Sequence, residues 1–241
     1  MEARDRIIVA LDVDCPERIA ELVSELAPYV GCFKVGLELM TAVGGPQAVR
    51  LIHSLGGSVF YDGKFNDIPN TIAGAAKATA NLGVKMFDVH ASAGIEALRQ
   101  ARMNKGASLL LAVTVLTSMD ERETRRVFVS SSRTTVGRLI YLATEAGCDG
   151  IVCSPQELSL MVEDEHLDRL LRITPGIRPT WAAIGDQNRI MTPSKAIQAG
   201  ADYLVIGRPI TSPPPEIGSP SNAARRIADE IAEASDKRSQ R

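Results

Sequence analysis

The sequence predicts a (β/α)8 barrel, an α/β fold, on three observations. Short apolar runs rich in branched residues recur eight times, and each reads as a strand buried on both faces, the kind from which parallel sheets are built. Stretches with apolar residues at helical spacing alternate with these runs, so that a strand-then-helix unit returns roughly every thirty residues. No Gly-x-Gly-x-x-Gly follows the first strand, whereas an open doubly wound sheet would more often show that turn and only five or six strands. The 241 residues suit one barrel of about 250 residues, so 1–241 is expected to form a single domain, with 212–241 as its last loop and closing helix.

The first strand is expected at Arg6 to Leu11. Asp14 is then placed as a helix N-cap with Glu17 as its partner three residues on, ahead of Ile19, Leu22, Val23 and Leu26 at helical spacing. A strand at Cys32 to Leu37, a helix near Pro46 to Ser54, a strand at Ser58 to Asp62 and a helix from Pro69 to Asn81 continue the alternation. Further strands read at Met86 to His90, Ser108 to Val115, Gly150 to Cys153, Leu171 to Thr174 and Tyr203 to Ile206. Helices fall near Gly94 to Asn104, Thr134 to Glu145, Pro155 to Val162, Ser194 to Gln198 and Asn222 to Glu233. Thr117 to Arg133 and Pro175 to Met191 resist either assignment, and loops of that length inside a compact fold are usually functional.

Composition excludes several classes. The 27 Lys and Arg balance 29 Asp and Glu, which leaves no electrostatic footprint for nucleic acid. No run approaches the ~18 to 20 apolar residues of a membrane span, and the start MEARDRIIVALDVD carries no signal-peptide pattern, so no membrane association and a cytoplasmic location are expected. Cys15, Cys32, Cys148 and Cys153, with His53, His90 and His166, show no metal-ligand spacing. The thiols read as small buried hydrophobes in a reducing compartment.

In such a barrel the working residues project from the C-terminal ends of the strands. Asp12 follows the first strand, Lys34 lies within the second, Asp62 and Lys64 straddle the end of the third, and Asp67 begins the next loop. An unpaired ammonium at Lys34 would be costly in a strand buried on both faces, so it requires a carboxylate. Asp62 and Lys64 are two apart and point the same way if the strand continues, which would flank Lys64 with Asp62 and Asp67. An alternating Lys and Asp network fixes positions and keeps each group ionised, as a proton donor beside an anionic substrate requires. The plainer alternative is a set of satisfied salt bridges at the barrel rim. A second concentration, PGIR (Pro175 to Arg178), GDQNR (Gly185 to Arg189) and IGRPI (Ile206 to Ile210), follows the last two strands, where barrels commonly bind phosphate. Gly207 and Arg208 suit that task, with Arg178 and Gln187 as further donors.

DGKFNDIPNT (Asp62 to Thr71) closely resembles the DxKxxDIPxT signature of the orotidine 5′-phosphate decarboxylase family. ALDVD, FKVGLEL, AVTVLTSM, TPGIRP, GDQNRIMTP and IGRPI resemble family motifs in family order, covering residues 7 to 211. The resemblance implies decarboxylation of orotidine 5′-monophosphate to UMP, with no metal and no cofactor. It implies Lys64 as proton donor to C6, Asp62 facing the departing carboxylate, and Lys34 and Asp67 completing the network. It further implies a homodimer with shared sites, in which Asp67, Ile68 and Thr71 reach the partner's pocket. Asp12 and Lys34 would contact the ribose, Thr117 or Ser118 the pyrimidine, and Gln187, Gly207, Arg208 and Arg178 the phosphate. Asn188, where the family often carries Lys, and Ser92 and Ala93 are small departures. The rival readings are a magnesium-dependent sugar-phosphate lyase of the same superfamily, a Schiff-base aldolase using Lys34 or Lys64, and a non-catalytic nucleotide-binding barrel.

Overall fold

A computed structural model describes residues 1–162, 169–182 and 190–239. Eight parallel strands close on themselves in chain order: β1 (Ile7–Ala10), β2 (Cys32–Val35), β3 (Val59–Phe65), β4 (Met86–His90), β5 (Leu109–Val113), β6 (Gly150–Val152), β7 (Leu171–Thr174) and β8 (Tyr203–Ile206). β1 pairs with β8 through Ile7 to Val9, which completes the (β/α)8 barrel and leaves no edge strand among the described residues.

Around it lie α1 (Pro16–Leu26), α2 (Gly45–Ser54), α3 (Pro69–Asn81), α4 (Ile95–Asn104), α5 (Ser132–Ala146), α6 (Ser159–Val162), α7 (Pro193–Gln198) and α8 (Pro220–Ser239). Two amide-to-carboxylate bonds tie the ring where it closes. The Ser194 N–H donates to Glu230 Oε1 at 2.9 Å, joining α7 to α8, and the Ser221 N–H donates to Glu25 Oε1 at 2.8 Å, joining α8 to α1. No helix among the described residues is long and apolar enough to cross a membrane.

The two-residue period of the strands divides the core. Ile7, Val9, Phe33, Val35, Phe87 and Val89 face the helices. Ile8, Cys32, Phe60, Met86, Leu111 and Ile173 form a separate cluster inside the barrel. A step of two residues along β2, β3 and β4 from that inner cluster reaches Lys34, Asp62 and Asp88, so alternation delivers three ionisable residues to one end of the barrel interior.

Several expectations need correction. Asp14 does not cap α1: the N-cap is Cys15, extended at φ −139°, with no side-chain cap bond. Pro16 takes the first helical position, where its missing N–H costs nothing, and holds the preceding residue extended. Thr117 to Arg133 is not all loop. It contains a helix, Glu121–Phe128, whose N-cap Asp120 accepts the Glu123 N–H at 2.7 Å. Its polar run ERETRR hides the apolar period. Pro155 to Val162 is split between a 3-10 turn at Pro155–Glu157, closed by a Ser154 and Glu157 capping box, and the short α6. β3 runs through Lys64 to Phe65 instead of stopping at Asp62, and β2 ends at Val35, before Gly36. Cys32, Cys148 and Cys153 are buried as expected, whereas Cys15 is only partly so. Burial pushes the Cys32 and Cys148 thiols up to about 12.

Candidate active site

The residues singled out at the ends of β1, β2 and β3 form a continuous chain. Lys34 Nζ lies 3.3 Å from Asp12 Oδ1 and 3.1 Å from Asp62 Oδ2, and the other Asp62 oxygen accepts a hydrogen bond from Lys64 Nζ. Carboxylate and ammonium thus alternate from Asp12 through Lys34 and Asp62 to Lys64. Asp62 is 7% exposed, and such a buried charge is tolerable only because it is shared between two cations. Burial alone would lower the Lys34 pKa, but the carboxylates of Asp62 and Asp12 outweigh it and hold the ammonium above its ordinary range. Burial would likewise raise Asp62, yet Lys34, a hydrogen bond with Asp88 and the Lys64 ammonium carry it down to about 2.

Local backbone makes this geometry possible. A Cβ on Gly36 would stand 2.6 Å from Lys34 Nζ, so only glycine leaves the ammonium its place between Asp12 and Asp62. Lys64 has φ +46°, a left-handed conformation that costs a non-glycine residue on the order of 1–3 kcal/mol. The pairing of β3 with β4 is irregular between Tyr61 and Phe65, and this distortion turns the Lys64 side chain toward Asp62. The Lys64 N–H donates to Asp88 Oδ1 at 2.7 Å.

Lys34, Asp62 and Lys64 line a recess that opens to solvent. Val113, Val152 and Val205 supply apolar wall, and Thr117 sits on the lining. Ser118 is exposed and does not line the recess, so of the two candidates for contact with a ring it is Thr117 that faces the cavity.

Arg178 is 9% exposed and donates to the Ile177 carbonyl at 3.0 Å. Hydrogen bonds between its backbone N–H and the Met191 carbonyl, and between the Met191 N–H and the Gly176 carbonyl, hold its loop. Burial and then the positive charge of Arg208 depress its pKa, so two guanidiniums share one neighbourhood. Gly207 precedes Arg208 at the end of β8 and lies beside Asp12: a Cβ there would be 3.6 Å from Asp12 Oδ2. This juxtaposition suits an anion. Gln187 and Asn188 fall outside the described residues.

Asp67 does not join the chain of charges. It is exposed, and Oδ1 accepts the adjacent Ile68 N–H at 2.7 Å, so the expected flanking of Lys64 by Asp67 is absent here. Ile68, 66% exposed, and Thr71 face outward beside it.

Two residues at the site were missed. Asp88, on β4, is fully buried, and its pKa is raised well above the ordinary carboxylate range, first by burial and then by the Asp62 charge. His90, two residues on, is half-buried, and burial followed by the Lys64 ammonium lowers its pKa. The signal for Asp88 was present: a lone carboxylate in MFDVH is as anomalous in a buried strand as the lysine in CFKV.

The chain is similar to known proteins along nearly its whole length. Residues 5–227 match the model of the "Orotidine 5'-phosphate decarboxylase / HUMPS family". The chain is 49% identical over 243 residues to an orotidine 5′-phosphate decarboxylase of Moorella thermoacetica, covering 96% of this chain and 94% of that protein. It is 45% identical over 238 residues to one of Geobacter sulfurreducens, covering 95% and 97%. A crystal structure of orotidine 5′-phosphate decarboxylase from Lactobacillus acidophilus superposes with a TM-score of 0.79 at 33% identity, over 93% of this chain and 98% of that one. A barrel of this topology, with its charges alternating across the ends of β1 to β3 and such relatives along nearly its whole length, belongs to the orotidine 5′-phosphate decarboxylase / HUMPS family.

Proposed function

We propose that this barrel is a carboxy-lyase that converts orotidine 5′-monophosphate to UMP and carbon dioxide, the closing step of UMP synthesis, with no metal and no cofactor. The observation that carries the reading is the Asp12, Lys34, Asp62, Lys64 chain, which ends in an ammonium on the wall of the recess. The bond between C6 and its carboxylate breaks, carbon dioxide leaves, and the electron pair remains on C6. No adjacent carbonyl can delocalise that pair, so the site must stabilise a localised carbanion directly. A fixed ammonium at Lys64 lowers the energy of the developing charge and then gives its proton to C6, and water reprotonates it. Preorganised electrostatics of this kind is worth on the order of 10²–10³ in rate per contact, and proton transfer a further 10²–10⁴ or so.

Asp62 anchors both ammoniums and faces the departing carboxylate. Asp12 and Lys34 hold the ribose hydroxyls, and Thr117 the pyrimidine. Arg178, Gly207, Arg208 and Gln187 grip the phosphate, far enough from C6 that binding energy spent there orders the reacting end. The enzyme works as a homodimer, in which each subunit lends Asp67, Ile68 and Thr71 to its partner's pocket. The exposure of all three in the isolated chain supports this arrangement. The buried, unbridged thiols suit a reducing compartment, and we place the enzyme in the cytoplasm.

A magnesium-dependent sugar-phosphate lyase is the weaker reading, because both Asp62 oxygens are already engaged by ammonium groups and a cation there would have to displace them. The test is release of carbon dioxide and UMP from orotidine 5′-monophosphate, assayed with and without EDTA. Turnover unaffected by EDTA is expected. A folded protein with no turnover would overturn the reading, and loss of turnover with EDTA would favour the lyase.

A further inference from the structure

The β3 and β4 ends bring two buried carboxyls together, and only Asp62 has a part in the reaction as described above. Asp88 is fully buried, and its two oxygens differ in their surroundings. Oδ1 accepts the Lys64 N–H at 2.7 Å, while Oδ2 has no donor in reach among the described residues. The Asp88 and Asp62 carboxyls nevertheless stand close enough for each to shift the pKa of the other. Two ionised carboxylates cannot bond to one another, and side by side in a buried site they would repel, so a proton on one of them relieves the repulsion and allows a hydrogen bond between them.

Asp62 is engaged by both Lys34 and Lys64, which favour its ionised form. Among the described residues, the hydrogen bond that Asp88 accepts comes from the Lys64 backbone N–H, and its side chain forms no salt bridge. The charged groups that act on it are Asp62 and Lys64 from β3, the same two that act on His90 two residues further along β4, and toward β5 it pairs with the apolar Leu111.

We propose that Asp88 is a positioning residue of the active site: Oδ1 holds the Lys64 backbone in its left-handed turn, and a proton on Oδ2 is donated to Asp62, fixing that carboxylate between the two ammoniums. A single side chain then braces both members of the reacting pair, the ammonium through its backbone and the carboxylate through its side chain. The upward shift of Asp88 and the downward shift of Asp62 agree with this division of one proton. The inference rests on the decarboxylase reading only for its kinetic consequence, since the protonation of Asp88 can be measured without substrate.

Asp88→Ala and Asp88→Asn are compared with wild type after wild-type turnover has been established. A displacement of the ammonium by about 1 Å is expected to cost roughly a hundredfold. Asp88→Ala should therefore lose about that much in kcat while UMP binds within about threefold of wild type. Asparagine can accept from Lys64 and donate to Asp62, so Asp88→Asn should recover at least about tenfold of that loss. Normal kcat in Asp88→Ala, or equal losses in both variants, would overturn the proposal.

The pH dependence of stability supplies a readout that a merely structural residue would not move. In the unfolded chain Asp88 ionises near about 3.9, while in the native state it keeps its proton, so its contribution is full below that pH and is lost as pH rises toward the native value. Relative to wild type, Asp88→Asn should gain in melting temperature as pH rises above about 4. A relative loss over that range would contradict the proposal. If neither variant folds, infrared spectroscopy of the wild type decides: a protonated carboxyl band at neutral pH, shifted in heavy water, is expected, and its absence would overturn the proposal.

Discussion

The barrel interior holds two layers built from the same strands by the same alternation, and they behave in opposite ways. Along β2, Cys32 and Lys34 are two residues apart and point to the same interior. Burial drives the Cys32 thiol up to about 12 and keeps it neutral among Ile8, Met86 and Tyr203, whereas Lys34 keeps its charge because Asp12 and Asp62 stand beside it. β3 repeats the contrast with Phe60 and Asp62, whereas on β4 burial and the Asp62 charge push Asp88 toward its neutral form, as burial does Cys32. What differs is partnership, since depth alone would silence a charge in either layer. The apolar layer supplies packing that is complete within one chain, while the charged layer is a preorganised field assembled from several strands and, on the proposed function, from a second subunit.

That last clause gives the sharpest way to break the comparison. Lys64→Ala and Asp67→Ala homodimers should each be nearly inactive, yet a mixture allowed to exchange subunits should recover activity. The mixed dimer pairs an intact Lys64 from one chain with an intact Asp67 from the other, so one of its two sites is whole. With random exchange about half of the dimers are mixed, and activity should approach roughly a quarter of wild type under two-fold symmetry. No recovery despite demonstrated exchange would make the charged layer as self-contained as the apolar one.

The apolar layer is probed by Leu111→Ala, a fully buried position in the inner cluster. It should lose about 2–5 kcal/mol of stability in denaturant titration, with kcat and KM of the folded protein close to wild type. A large kinetic effect at unchanged stability would erase the distinction between the layers.

Gly36→Ala addresses the charged layer with the smallest possible change. Its new methyl would displace the flexible end of Lys34 and no backbone, so stability should change by less than about 1 kcal/mol, while kcat/KM falls about tenfold. A variant that is destabilised but kinetically normal would assign Gly36 to packing.

The strands were legible because apolar runs of branched residues state both their type and their burial. Lys34, Asp62 and Lys64 stood out as charges in such runs, and the need of Lys34 for a carboxylate followed from desolvation alone. Asp88 obeys the same rule, but the apolar neighbours that mark its strand leave it without a nearby charge in sequence to draw attention to it. The helix Glu121–Phe128 was hidden because its packing surface is too small to leave a period, although Asp120 and Glu123 marked its start. Asp67 shows the limit of reasoning from spacing: five residues beyond Asp62 the chain has left the strand, and Asp67 turns to the Ile68 amide.

The account's central claim is that the ammonium of Lys64 carries the chemistry while affinity is held elsewhere. The measurement that tests it most directly is single-turnover decarboxylation of orotidine 5′-monophosphate by Lys64→Ala, paired with UMP binding to the same preparation. Loss of both charge stabilisation and proton transfer should lower the rate by about 10⁴ or more, with UMP affinity within about threefold of wild type. Turnover close to wild type, or a rate and an affinity that fall together, would contradict the claim.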